Sequence, residues 1–322
     1  MERTSTLERV AAERDVAVQE HSSDWLSQCA YDATIPSYTS QRGEDRILQK
    51  LFEVIGTTNR WCVEFGATDG KHYSNTWHWI NNHEWSSVQI EASRDVNVNL
   101  RNRYRWSYEA LQKRYRGNPR VACLNRWVKN DGKNSLDAIL ASTDLPKVFD
   151  LLSIDVDGPD YDIWQSLQNF EPRVVVVEHN KTIPIHREFH SNGGSSLQAF
   201  ATLGRQKGYE LVAANDLNGV FVRQELFPLL GIASNSPVDL WSGQAQYNMS
   251  LVCENDGSVH LTGPDKLRWV RGADGTIPGE IRAGRFVRID DGETSVRVDG
   301  QSGLHWYASG YIRHLLYKLG WL

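Results

Sequence analysis

At 322 residues and a formal net charge of -5, the chain can bury one large core, or one domain of roughly 200 residues with an accessory part. It has no overall positive charge to draw it to nucleic acid or an acidic membrane surface. No stretch reaches 18 apolar residues and Met1 to Glu20 is charged throughout, so neither a signal peptide nor a transmembrane segment is expected. The four cysteines, Cys29, Cys62, Cys123 and Cys253, lie far apart. That spacing predicts reduced thiols in a cytoplasmic protein and no zinc pair.

Residues 1–37 alternate charge with apolar positions such as Leu7 and Val10 and read as a helical extension ending in a linker near Pro36. From Glu44, the spacing of Ile47, Leu48, Leu51, Phe52 and Ile55 predicts a helix closed by Gly56. The apolar run Trp61 to Phe65 then ends in Gly66-Ala67-Thr68-Asp69-Gly70, and Trp77, Trp79 and Ile80 suit a helix. In an open α/β sheet, ligands settle beyond the carboxyl ends of the strands, where glycines let the backbone come close. Glu64, Asp69 and the loop amides are expected at that crevice.

A second strand, Ser87 to Ile90, ends in Glu91, about 21 residues past Gly70. An acidic side chain at that place can accept both hydroxyls of a ribose, which points to a nucleoside-containing cofactor. Residues Arg94 to Arg116 interleave arginines and lysines with tyrosine and tryptophan, either an amphipathic helix with a solvated face or a cationic aromatic surface. Strand Val121 to Leu124, a helix capped by Asn134 or Ser135, and strand Phe149 to Ile154 follow. The last ends in Asp155-Val156-Asp157-Gly158-Pro159-Asp160. A fifth strand, Val174 to Val177, is apolar at every position, as in a sheet centre covered on both faces, and ends in Glu178-His179-Asn180.

This alternation predicts a parallel, doubly wound α/β sheet. After a helix from Ser196, strands at Tyr209 to Ala213 and Val220 to Arg223 are separated only by Ala214 to Gly219. So short a link cannot make a parallel crossover, and the pair must be an antiparallel hairpin. The fold class expected is therefore Rossmann-like, of about seven strands with an antiparallel final hairpin. That is the strand plan of class I S-adenosylmethionine-dependent methyltransferases.

Several motifs sharpen the expectation: Ser40-Gln41-Arg42-Gly43-Glu44-Asp45, Val63 to Gly70 with Ser74-Asn75-Thr76, Ser153 to Tyr161, Val177 to Asn180, and Gly194-Ser195-Ser196-Leu197. Over roughly residues 38 to 225 the sequence resembles the FkbM-type methyltransferases. The resemblance implies a domain at 38–230 that binds S-adenosyl-L-methionine and methylates a hydroxyl of a small molecule or glycan. Gln41, Glu64, Gly66, Asp69, Gly70, Asn75, Glu91 and Asp155 are the expected cofactor-binding residues. Gln41 and Glu44 would either close over the cofactor or simply start a helix.

Asp155, Asp157 and Asp160 should meet Glu178, His179 and Asn180 at one sheet edge. Hard oxygen donors of this kind suit Mg²⁺, Mn²⁺ or Ca²⁺, so Asp155, Asp157, Glu178 and Asn180 are candidate metal ligands. Asp155, Asp157 and His179 are candidate catalytic residues, with His179 or Asp155 as general base if no metal takes part. The plainer alternative makes Asp160 a helix cap and Asp157-Gly158-Pro159 a turn. His186, Arg187 and His190 are weaker candidates for a substrate lid. Two rival readings are a metal-dependent glycosyltransferase using Asp155-x-Asp157 and a non-catalytic binding protein on the same fold.

Residues 231–322 read as a small β-rich accessory region, with strands at Ser258 to Thr262, Phe286 to Ile289 and Ser295 to Val298. An aromatic helix at Trp306 to Trp321 would dock on the main domain, form a homo-oligomer contact, or touch a membrane or glycan.

Overall fold

The structure, a computed structural model, describes residues 22–93, 107–181, 183, 185–191, 194–241, 250–253 and 259–262. The expected helix before residue 21, most of the basic aromatic stretch, two of the C-terminal strands and the terminal helix lie outside the described residues.

The elements in chain order are α1 (Trp25–Cys29), α2 (Glu44–Ile55), β1 (Trp61–Phe65), α3 (Trp77–Asn82), β2 (Ser86–Glu91), α4 (Tyr108–Arg114) and β3 (Val121–Asn125). There follow α5 (Leu136–Leu140), β4 (Val148–Ile154), α6 (Asp160–Ser166), β5 (Glu171–Glu178), α7 (Leu197–Gln206), β6 (Tyr209–Ala214), β7 (Asn218–Arg223) and α8 (Pro237–Leu240). A separate antiparallel pair, β8 (Ser250–Cys253) and β9 (Val259–Thr262), covers the first of the strands expected in the accessory region.

The seven-stranded sheet has the order β3-β2-β1-β4-β5-β7-β6. Strands β1 to β5 pair in parallel, while β7 pairs antiparallel with both β5 and β6. This is the Rossmann-like plan with an antiparallel end that the short β6–β7 link demanded. The core is the two faces of this sheet: Val174 to Val177 are wholly buried, as are Leu151, Leu152, Phe149 and Trp164. Helix α2 turns Ile47, Leu48, Leu51, Phe52 and Ile55 inward and stops where Gly56 takes a positive φ of 62°. Ser135 and Ser196 cap α5 and α7 by accepting the Ala138 and Ala199 amides, so of the two residues proposed for the first cap it is Ser135 that serves.

Residues 22–30, ahead of the mostly exposed stretch 31–38, pack on the sheet. Leu26 of α1 is fully buried, Ser27 Oγ accepts the Ala214 N–H, and Trp25 Nε1 donates to the Leu230 carbonyl. The segment was hard to read because its partners lie about 190 residues or more away in sequence. Cys29, Cys62 and Cys123 are free thiols, and burial pushes Cys123 up to about 11 and Cys62 higher still. No helix among the described residues is long and apolar enough to cross a membrane.

Candidate functional site

The loop after β1 is built by close backbone approach. Gly66 has φ 74°, and a Cβ there would lie 1.6 Å from the Asp155 carbonyl oxygen. The glycine lets the β1 loop lie against the β4 loop. Gly70, at φ 73°, is packed against Tyr115 and Leu111 in the same way. Asp69 faces its own loop: it accepts the Lys71 and His72 amides at 2.9 and 2.8 Å, the His72 ring at 2.8 Å and Arg114 at 2.8 Å. Burial pushes its carboxyl up, but the His72 and Lys71 hydrogen bonds and Arg114 outweigh that and bring it down to about 2. Asp69 therefore holds the loop's shape, with its oxygens engaged by protein donors.

Because the folded pKa lies below the usual carboxylate value, Asp69 stabilises the fold above about pH 4. That contribution, on the order of 1 to 2 kcal/mol, is lost as pH falls towards 2. Asp69→Asn should remove this part of the acid limb, as urea midpoints measured between pH 2 and 6 would register.

The register of β2, β1, β4, β5 and β7 puts Gln89, Glu64, Ser153, Val176 and Val220 side by side on one sheet face. Glu64 is buried and accepts Ser74 Oγ at 2.6 Å, Thr76 Oγ1 at 2.7 Å and the Asn75 amide at 2.8 Å. Burial still holds its carboxyl above the ordinary range. Asn75 Nδ2 donates to Ser153 Oγ at 3.1 Å, which ties the β1 loop to β4.

One step further along, Glu91 accepts the Thr68 amide at 2.7 Å and the Ala92 amide at 3.1 Å. It fastens the β1 loop to the end of β2, and it stays partly exposed. Gln41 is exposed. Glu44 is fully buried and accepts the Arg42 amide and the side-chain amides of Asn215 and Asn218 at 2.9 and 2.7 Å. That bonding fixes the β6–β7 turn, so Glu44 is no flap over the crevice. Asp45 similarly gathers the Tyr38, Thr39 and Ser40 amides.

Beyond β4 and β5, the two expected clusters meet. Donor oxygens of Asp155, Asp157 and Glu178 all lie within 4.8 Å of one another, Asp157 exposed and the other two partly buried. Burial, then repulsion from Asp160, Asp157 and Glu64, raises the Asp155 carboxyl; burial, then Asp155 and Asp160, raises Glu178. Among the described residues no lysine, arginine or histidine forms an ion pair with any of the three. A set of three hard oxygen donors without a protein counter-charge suits a divalent cation.

Asp160 stands apart from this set. It accepts the Val156 and Gly158 amides at 2.8 and 2.9 Å and folds the loop that carries Asp157, whose φ is 60°. Burial lifts it to about 6. The helix N-cap is Pro159, not Asp160.

His179 is buried, with its Nε2 3.0 Å from the Asn215 carbonyl oxygen and its pKa lowered by burial to about 4. That contact requires Nε2 to carry the proton, so this nitrogen cannot also accept one. Asn180 lies beside Gly194, where an added Cβ would come 3.3 Å from its Nδ2. Of the lid candidates, His186 and Arg187 are exposed, whereas His190 stacks on Tyr161 at 3.9 Å and bridges Asp162 and Ser195 at 3.1 and 3.0 Å.

No protein-family model matches this chain, and no curated protein sequence matches it. Among solved structures it is similar to the Bacillus cereus O-methyltransferase in complex with S-adenosylhomocysteine. The two are 15% identical over 67% of this chain and 95% of that one, with a TM-score of 0.36. It is also similar to the Podospora anserina methyltransferase PaMTH1 bound to S-adenosylhomocysteine, at 14% identity over 69% and 96% with a TM-score of 0.35. A third is an S-adenosylmethionine-dependent methyltransferase from Aquifex aeolicus, at 12% identity over 54% and 87% with a TM-score of 0.34.

Proposed function

We propose that this chain is an S-adenosylmethionine-dependent O-methyltransferase acting on a hydroxyl of a glycan or small molecule. One observation carries the reading: the carboxyl edge of a sheet ordered β3-β2-β1-β4-β5-β7-β6 collects Glu64, Glu91, Asp155 and Glu178 on neighbouring strands. Ligands of open α/β sheets lie at such an edge, and acidic groups there favour a donor that carries a sulfonium and an ammonium charge. Three of the motifs that resemble the FkbM type, Val63 to Gly70, Ser153 to Tyr161 and Val177 to Asn180, fall at the ends of β1, β4 and β5.

In this reading Glu91, partly exposed at the end of β2, accepts the ribose hydroxyls. The loop that Asp69 and Arg114 hold rigid lines the nucleoside, and Asp155 faces the methionine end. Methyl transfer is an in-line displacement, so the chain's task is to place the two reactants and take up one hydroxyl proton. With no metal taking part, Asp155, Glu178 or Nδ1 of His179, whose Nε2 donates to Asn215, takes that proton. A divalent ion held by Asp155, Asp157 and Glu178 would lower the pKa of the acceptor hydroxyl and orient its oxygen.

Calorimetric titration tests the reading against its rivals. Binding of S-adenosylhomocysteine supports it, binding of a uridine or guanosine diphosphate sugar only with Mn²⁺ supports a glycosyltransferase, and binding of neither supports a non-catalytic protein. Glu91→Ala should weaken S-adenosylhomocysteine binding about ten- to a hundredfold, the value of a charged hydrogen bond. An unchanged Kd would remove Glu91 from the site.

A further inference from the structure

The cation-binding part of the proposed function leaves one coordination question that β7 answers. Asn218 is the register partner of Glu178 across β5 and β7. The His179 amide donates to the Leu217 carbonyl, so Glu178 and Asn218 form the next, non-hydrogen-bonded pair. In such a pair the side chains share a face and approach most closely, with Cα atoms about 4.5 Å apart. Asn218 is only 6% exposed. Its amide is oriented by chemistry: Nδ2 donates to Glu44 at 2.7 Å, and a carboxylate can only accept, so the nitrogen lies on that side. Its Oδ1 is then left buried with no hydrogen-bond partner. An unmatched buried acceptor is costly, about 1 to 3 kcal/mol, unless something occupies it.

We infer that Asn218 Oδ1 is the neutral fourth oxygen of a divalent-cation site whose carboxylates are Asp155, Asp157 and Glu178. The site thereby draws on three strands: β4 and β5 give the charge, and β7 gives a carbonyl oxygen held in place by Glu44. Glu44 acts as a positioning residue, because it turns the amide so that oxygen and not nitrogen is left over. Mixed carboxylate and amide-oxygen sets are the donors that Mg²⁺, Mn²⁺ and Ca²⁺ prefer. Asn180, the amide expected from sequence, lies beside Gly194, and its backbone amide donates to the Ser195 carbonyl.

The test is titration of Mn²⁺ into the full chain, with no methyl donor present, followed by calorimetry and the loss of the free-ion electron paramagnetic resonance signal. One ion per chain is expected. Asp157→Asn, at an exposed side chain, should weaken Mn²⁺ at least tenfold, and Asn218→Ala should do the same with its melting profile checked alongside. If Asn218→Ala does not fold, the anomalous map of wild-type crystals soaked in Mn²⁺ decides: Oδ1 of Asn218 among the ligands supports the inference, and an ion coordinated without it overturns it. Failure of wild type to bind Mn²⁺ also overturns it. S-adenosylhomocysteine titrated in chelator reports separately on the methyl-donor reading, so loss of one does not imply loss of the other.

Discussion

Asp150→Ala should destabilise the protein by about 3 to 5 kcal/mol, the penalty for removing one partner of a buried ion pair and leaving the other charge alone. Asp150 sits wholly buried within β4, near the end of the sheet opposite the candidate site. It accepts Arg173 Nη1 at 2.8 Å and the amides of Thr58, Asn59 and Arg60 at 2.7 to 3.0 Å. Arg173 in turn donates to the carbonyls of Ile55 and Gly56 at the end of α2. One carboxylate thus joins β4, β5, the end of α2 and the start of β1. Asp150→Asn keeps the volume but loses the charge and should fall between wild type and alanine. Urea unfolding followed by tryptophan fluorescence would measure both. A loss under about 1 kcal/mol for the alanine variant would mean that the pair is solvated and the junction looser than described.

Gly66→Ala carries the second large effect. A left-handed backbone costs a residue with a Cβ about 1 to 2 kcal/mol, and overpacking a closed interior costs about 1 to 3 more. The new methyl would meet the Asp155 carbonyl, a backbone atom with nowhere to go. The β1 and β4 loops must therefore separate, moving Asp155 away from the loop that bears Asp69 and Gly70. A stability loss of about 2 to 5 kcal/mol is expected, with S-adenosylhomocysteine affinity falling more than tenfold in whatever remains folded. Gly56→Ala is the control, since its Cβ would meet nothing within 4 Å even though φ is 62°. It should show the backbone cost alone and leave ligand affinity unchanged.

The sheet was legible because its signals are local. Apolar runs bounded by glycine and acidic residues marked the strands to within a few residues, and the short Ala214 to Gly219 link left only an antiparallel end. Which carboxylates are taken up by the chain's own donors was not legible. Asp69, Asp160, Glu44 and Asp45 look in sequence like Asp155 and Glu178, but each is closed off by amides of its own or a neighbouring turn. Loop conformation decides this, and spacing does not encode it.

The Asp150–Arg173 pair did have a signal: a charge inside each of two apolar strands demands a partner on the next strand. Asn218 had none, because its significance depends on a register with Glu178 and a bond to Glu44, 174 residues away.

The central claim is that the acidic edge formed by β1, β2, β4 and β5 receives a methyl-donor nucleoside. Isothermal titration of S-adenosylhomocysteine into the purified chain tests it most directly. The account predicts saturable binding with one site per chain, weakened by Glu91→Ala. Absence of binding by both S-adenosylhomocysteine and S-adenosylmethionine to a folded protein, or binding that Glu91→Ala leaves untouched, would contradict it.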